Sequence, residues 1–223
     1  MRDLLSGLLE LALPPSCAGC GSAVPASAVL CTRCDARLPR LASGRAFAGS
    51  TSPLAACCAA VAYQGDVEDW IQRFKYPRRG WRGLDPAPLG VVRRLVLEAA
   101  RGAPGPPPER IVPVPLHPRR LRERGFNPSA LLARSIAREM RCRFDAALLV
   151  RMRDTPSQTG LDRRARRANV RGAFQVRPGV RAPRAVWLVD DVVTTGSTLI
   201  ECARTLRRAG ARQVVAVCVA QTP

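Results

Sequence analysis

The sequence predicts an α/β domain built on a central parallel sheet and preceded by a small module of four cysteines. Three stretches carry that expectation. Val186 to Val189 and Val214 to Ala220 are apolar runs too short for globular helices and suited to strands buried on both faces. Between them, Thr198 to Ala209 repeats Leu199, Cys202, Ala203 and Leu206 at helical spacing and stops at Gly210. Strand, helix and strand with short joins make a right-handed parallel unit, with its ligand crevice outside the strands' carboxyl ends. Near the start, Cys17, Cys20, Cys31 and Cys34 follow a C-x2-C-x10-C-x2-C spacing.

At 223 residues the chain is long enough for one α/β domain and an appendage, and its 47% hydrophobic and 24% charged residues read as globular. Its 36 basic and 17 acidic residues give a formal +19, which implies polyanionic partners: phosphorylated substrates, nucleic acid, or both. Solvated arginines from a GC-rich genome would give the same count without any partner. Met1 to Leu13 is leucine-rich but broken by Asp3 and Glu10, too short to span a bilayer and unlike a signal peptide; it reads as a short amphipathic helix. No other segment approaches membrane-spanning length, so the expectation is a cytoplasmic protein.

The four cysteines form two pairs, each able to grip one metal ion from a tight turn, with Gly19 and Gly21 beside the first pair. Zn²⁺ held by four protein ligands is structural, with no open position for catalysis. A disulfide framework is the alternative and suits an unsecreted chain poorly. Cys57, Cys58, Cys142, Cys202 and Cys218 sit in apolar or helical surroundings and read as small buried hydrophobes.

Leu38 to Pro53 reads as a connector, Ala55 to Tyr63 as a strand, and Asp66 to Lys75 as a short helix with Val67, Trp70, Ile71 and Phe74 on one face. Lys75 to Arg82 interleaves basic and aromatic residues, a pattern that suits a nucleic-acid strand and equally a solvated turn. Leu89 to Ala100 reads as a helix and Gly102 to Pro108 as a stiff connector. The run Ile111 to Leu116 carries Pro113 and Pro115, so its strand ends near Val112 and a fixed turn presents His117, Arg119, Arg120, Arg122 and Arg124. Guanidinium forks suit diphosphate oxygens, which places His117, Arg119 and Arg120 on a pyrophosphate side; His117 reads as a structural or phosphate-contacting group or as a general acid. Asn127 and Pro128 open a helix carrying Leu131, Leu132, Ile136 and Met140.

Asp190 and Asp191 end the first apolar run, and Thr194, Thr195, Gly196, Ser197 and Thr198 follow just before a helix. Acids at a strand's carboxyl end accept hydrogen bonds from sugar hydroxyls, while hydroxyls and backbone N–H groups at a helix N-terminus hold a phosphate. A Walker B strand also puts acids after an apolar run, yet the chain has no G-x-x-x-x-G-K-[ST]. An ordinary βα turn with polar residues does not require two acids and a T-T-G-S-T loop together.

Val186 to Thr198 resembles the phosphoribosyl pyrophosphate (PRPP) signature of type I phosphoribosyltransferases. With the cysteine start, Tyr63 and Gly65, Lys75-Tyr76, P-V-P-L, R-G-F-N, Gln158 and Leu161, Arg166 and Asn169, and Gly172 to Phe174, the chain resembles the ComF/GntX family over nearly its whole length. The resemblance implies a type I phosphoribosyltransferase-like fold with a hood behind a four-cysteine zinc module. We place the module at residues 1–45 and the phosphoribosyltransferase-like domain at 46–223, with about 46–108 in the hood and 109–223 forming the PRPP-binding core. It implies that Asp190 and Asp191 are catalytic and hold the ribose hydroxyls directly or through Mg²⁺, and that Thr194 to Thr198 cradle the 5′-phosphate. Arg124, Asn127, Arg153, Thr155, Gln158, Arg166 and Asn169 are its candidates in a hood or mobile loop. The implied activity is Mg²⁺-dependent phosphoribosyl transfer with pyrophosphate release, serving DNA uptake. The alternative is a non-catalytic accessory or regulatory protein that binds single-stranded DNA and keeps the PRPP pocket. Implied partners are PRPP, single-stranded DNA and competence-machinery proteins.

Overall fold

A computed structural model describes residues 15–41, 52–77, 85–154 and 163–223, without the side chains of 163, 164 and 166. The expected N-terminal helix and the positions Thr155, Gln158 and Leu161 lie outside the described residues. In chain order the elements are α1 (Thr32–Ala36), β1 (Ala56–Ala62), α2 (Asp66–Lys75), α3 (Pro86–Arg101), β2 (Arg110–Pro113), α4 (Pro118–Arg124) and α5 (Pro128–Glu139). There follow β3 (Arg143–Phe144), β4 (Leu149–Arg151), α6 (Arg163–Val170), β5 (Phe174–Val176), β6 (Ala185–Val193), α7 (Ser197–Arg208) and β7 (Gln213–Gln221).

Five strands form a parallel sheet in the order β1-β7-β6-β2-β3, and β4 pairs with β5 antiparallel. Strand alternation divides the core in two. Trp187, Val189, Val215, Val217 and Val219 pack toward α2, α3 and α5, while Val186, Leu188, Val214, Ala216 and Cys218 pack toward α7 and the β4–β5 pair. Both faces are covered, which is why β6 and β7 read as continuous apolar runs. Their carboxyl ends are flush, Asp190 beside Cys218 and Val193 beside Gln221.

Several boundaries differ from the sequence expectation, among them β6, which continues past Val189 through Asp190 and Asp191 to Val193. β2 runs one residue past Val112, to Pro113; β3 pairs only with Arg110 and Ile111, so no ladder needs the N–H that Pro113 lacks. α3 begins three residues before Leu89, with Asp85 accepting from Ala87 N at 3.2 Å and prolines in the first turn, where no N–H is needed. The turn after Leu116 is the helix α4, capped by His117 Nδ1 accepting from Arg119 N at 3.3 Å.

The cysteine segment is welded onto the α2–α3 layer. Cys17, Val24, Leu30 and Leu38 are buried in one cluster with Trp70, Val91 and Leu95, and Trp70 Nε1 donates to Ala18 O at 3.1 Å. Arg40 and Arg94 both bond Asp35 and Glu98 across the same seam. Beyond the cysteines, Leu41 N donates to Ala60 O at 3.1 Å and Ala62 N to Pro39 O at 2.8 Å, covering the outer edge of β1. Gly90 is interior to α3 because Val29 lies on it: a Cβ there would meet Val29 Cγ1 at 2.8 Å. Gly90→Leu is therefore expected to lower stability by about 2 kcal/mol through overpacking at this seam, read from urea unfolding.

Candidate functional site

A cleft of about 440 Å³ opens at the carboxyl ends of β6 and β2, lined from below by Asp190, Asp191 and residues 192–194 and 196–199 and from the sides by α2, α4 and α5. Asp191 is 8% exposed, and its Oδ1 lies 2.8 Å from Lys75 Nζ at the last residue of α2. Burial disfavours that ammonium, but Asp191 and then Asp190 outweigh it and raise its pKa. Asp190 Oδ1 accepts from Ser129 Oγ at 2.8 Å and from Asp191 N at 3.0 Å. Burial and then the charge of Asp191 push Asp190 up to about 7, against the pull of Ser129 and Lys75.

Past the acids, Gly196 takes φ 70°, the left-handed conformation glycine adopts without strain, and turns the chain into α7. Thr195 Oγ1 and Ser197 Oγ lie 2.8 Å apart. Thr194, Gly196, Ser197 and Thr198 line the cleft where the first N–H groups of α7 point out of the helix. Acceptors at one end and donors at the other make a site for a group carrying both hydroxyls and an anion.

The structure brings together Asp190, Asp191, Thr194, Gly196, Ser197, Thr198, Arg120 and Arg124 around this cleft, with Thr195 bonded to Ser197 at its rim. It does not bring His117 or Arg119 into the lining: His117 Nδ1 is taken up in capping α4, and Arg119 pairs with Glu123 at 2.9 Å and lies 3.5 Å from Asp154. Asn127 Oδ1 accepts from Ser129 N and its Nδ2 donates to Val114 O, so Asn127 positions the start of α5 beside Asp190. Arg153 ties to the carbonyls of Asn169 and Arg171. Arg166 belongs to α6, its side chain outside the described residues.

In the cysteine segment, one ligand atom from each of Cys17, Cys20, Cys31 and Cys34 lies within 4.8 Å of the others. Cys20 and Cys31 Sγ are 3.7 Å apart, close to the edge of about 3.8 Å for a tetrahedron with metal–sulfur bonds of about 2.3 Å. Ser22 first holds Cys20 down to about 5, whereas partial burial and then the neighbouring thiols push Cys34 up to about 12. A cation among them relieves that crowding, so the cluster is compatible with a structural metal site.

The chain is 35% identical over 208 residues to DNA utilization protein YhgH of Salmonella typhi, covering 92% of this chain and 90% of that one. It is also 36% identical over 146 residues to Competence protein F of Haemophilus influenzae, covering 65% and 63%. The chain belongs to the ComF family. Residues 127–223 of this ComF chain match the phosphoribosyl transferase domain, and with the five-stranded parallel sheet they give it the type I phosphoribosyltransferase fold. A looser likeness is to glutamine PRPP amidotransferase from B. subtilis, 19% identical with TM-score 0.43, covering 66% of this chain and 30% of that one; it adds nothing to the assignment.

Two members of the ComF site were not placed in it from sequence, Lys75 and Ser129. Lys75 carried a signal: of the chain's 36 basic residues it is the one lysine. Where arginine fills nearly every cationic position, a compact ammonium marks a place a planar fork does not fit. Ser129 sits inside the R-G-F-N-P-S stretch, but nothing local distinguishes a hydroxyl in a first helical turn from one aimed at an acid 61 residues away.

Proposed function

We propose that the cleft binds PRPP and is shaped for phosphoribosyl transfer with release of pyrophosphate. The observation that carries the reading is the pairing, within one cleft, of two carboxylates at the end of β6 with the left-handed Gly196 turn opening α7. Asp190 and Asp191 accept hydrogen bonds from the ribose hydroxyls, and Thr194 to Thr198 with the N–H groups of α7 take the 5′-phosphate. Arg120 and Arg124 face the diphosphate. As the bond from the anomeric carbon to pyrophosphate breaks, positive charge grows on the ribose close to both carboxylates, which stabilise it.

Mg²⁺ fits this site as an ion that arrives with the diphosphate and keeps part of its water shell, because Asp191 is already paired with Lys75 and no all-protein cage of oxygens is present among the described residues. Bound there it neutralises charge on the leaving group. In the cysteine cluster the ion we propose is Zn²⁺, closed by four sulfurs and therefore structural.

The names of the relatives, DNA utilization and competence, support a second element: the chain serves DNA handling in the cytoplasm, with single-stranded DNA and competence-machinery proteins as partners. Among the described residues no helix is long and apolar enough to cross a membrane. The PRPP reading is tested by calorimetric titration with PRPP and Mg²⁺. The native chain is expected to bind, and Asp190→Ala to bind at least 10-fold more weakly, the loss of about 1.4 kcal/mol of charge-assisted hydrogen bonding. Equal affinity of the two chains would remove the acids from the site.

A further inference from the structure

Away from the cleft, the seam between α6 and α7 carries a groove of about 630 Å³ that shares no lining residue with it. Arg167 and Arg171 line one wall and Arg204 and Arg208 the other, and all four are exposed. The acid in the groove, Glu201, is 5% exposed and has both carboxylate oxygens engaged. Its Oε1 accepts from Gly172 N at 2.8 Å, fixing the turn after α6 to α7, and its Oε2 faces Arg204 Nη1 at 3.4 Å. Among the described residues no carboxylate lies within salt-bridge distance of Arg167, Arg171 or Arg208. The groove is a concave surface in which four arginines outnumber one buried, engaged acid.

The spacing of the charges narrows the ligand. On α7, Arg204 and Arg208 repeat at an i, i+4 interval, an advance of about 6 Å along the helix, while opposite them Arg167 lies on α6 and Arg171 in the turn just past its end. A compact phosphate is satisfied by one pair of guanidinium forks; two facing rows that continue along the groove suit an anion that itself repeats. Among the described residues no aromatic side chain lines the groove, so it offers charge and no stacking platform. We propose that it binds the phosphodiester backbone of single-stranded nucleic acid, phosphates between the two rows and bases outward, without reading sequence. For the identity of the polymer the inference rests on the DNA-handling element of the proposed function, and it is independent of the PRPP element. Because α7 presents its N-terminus to the cleft and its outer face to the groove, one helix would carry both ligands.

The test is fluorescence anisotropy of a labelled oligothymidylate with the full chain across a salt series. Arg204→Ala/Arg208→Ala is expected to bind about 10-fold more weakly at moderate salt and to lose about 1.4 from the slope of log affinity against log salt, two contacts at about 0.7 each. Arg204→Lys/Arg208→Lys should keep most of the affinity and the slope. Arg101→Ala/Arg138→Ala removes the same charge from the opposite face of the sheet and should bind like the native chain. An unchanged urea unfolding midpoint will show that the groove variant is folded. Equal weakening in both alanine pairs, or native affinity in the groove pair, would overturn the placement while leaving DNA handling intact. A native chain that binds no oligonucleotide at low salt would overturn both, and tighter binding of a duplex of equal length would overturn the single-strand assignment.

Discussion

Replacing Lys75 by alanine is expected to destabilise the chain by about 3 kcal/mol, the lower end for removing one partner of a buried ion pair, because this pair borders an open cleft. Lys75 Nζ is 2.8 Å from Asp191 and holds the acids' combined charge in check from α2. Without it, two adjacent carboxylates at the end of β6 repel, and one of them takes up a proton more readily. The pH dependence follows with a definite sign. Asp190 in the folded chain is already raised to about 7, above its unfolded value, so its contribution to stability is full below the ordinary carboxylate range and is lost as pH rises toward 7. The urea midpoint of the ligand-free chain should therefore decline over that window, and in Lys75→Ala decline over a wider one. PRPP affinity should move the other way, weaker than native at neutral pH and partly recovered in alkaline buffer as Asp190 ionises. A midpoint unchanged by the substitution would show that the ion pair contributes nothing.

The second large effect is expected at the cysteine cluster. Cys34→Ser, or treatment with a strong chelator, should release the metal, lower stability by about 4 kcal/mol and reduce the melting temperature by about 10 °C. The loss extends beyond the segment itself. The Cβ position of Gly19 is 3.0 Å from Cys34 Sγ and 3.7 Å from the Trp70 ring, and Trp70, 2% exposed, is bonded to Ala18. Loosening the cluster wets Trp70 and frees the helix that ends in Lys75. Metal content by elemental analysis, a red shift in tryptophan emission and PRPP affinity should therefore change together. A variant that lacks metal but keeps native melting and emission would separate the cluster from the fold.

What could be read in advance followed from how local the signal was. β6, α7 and β7 are fixed by apolar runs, a helical period and Gly210, all close together in the chain, and the T-T-G-S-T turn lies among them. Asp66–Lys75 was legible to the residue because its four apolar side chains face one core. Pro118–Arg124 was not, since its cap is a histidine and none of its residues is buried. The partners of the acids were hidden for a different reason. Lys75 and Ser129 meet Asp191 and Asp190 only once β6 lies beneath the layer of α2 and α5, and sequence spacing carries no trace of that meeting. His117, read as a structural or phosphate-contacting group or as a general acid, takes a structural part and caps its own helix.

The short run of backbone after the cysteines has a further role. By bonding to Ala60 and Ala62 it occupies the open rim of β1, a strand of alanine, cysteine and valine with no charge of its own to deter another chain. A polypeptide begun after residue 41 would present a sticky, hydrogen-bond-hungry border and would self-associate. The four-cysteine segment thus also acts as a guard that keeps this molecule from templating its own aggregation.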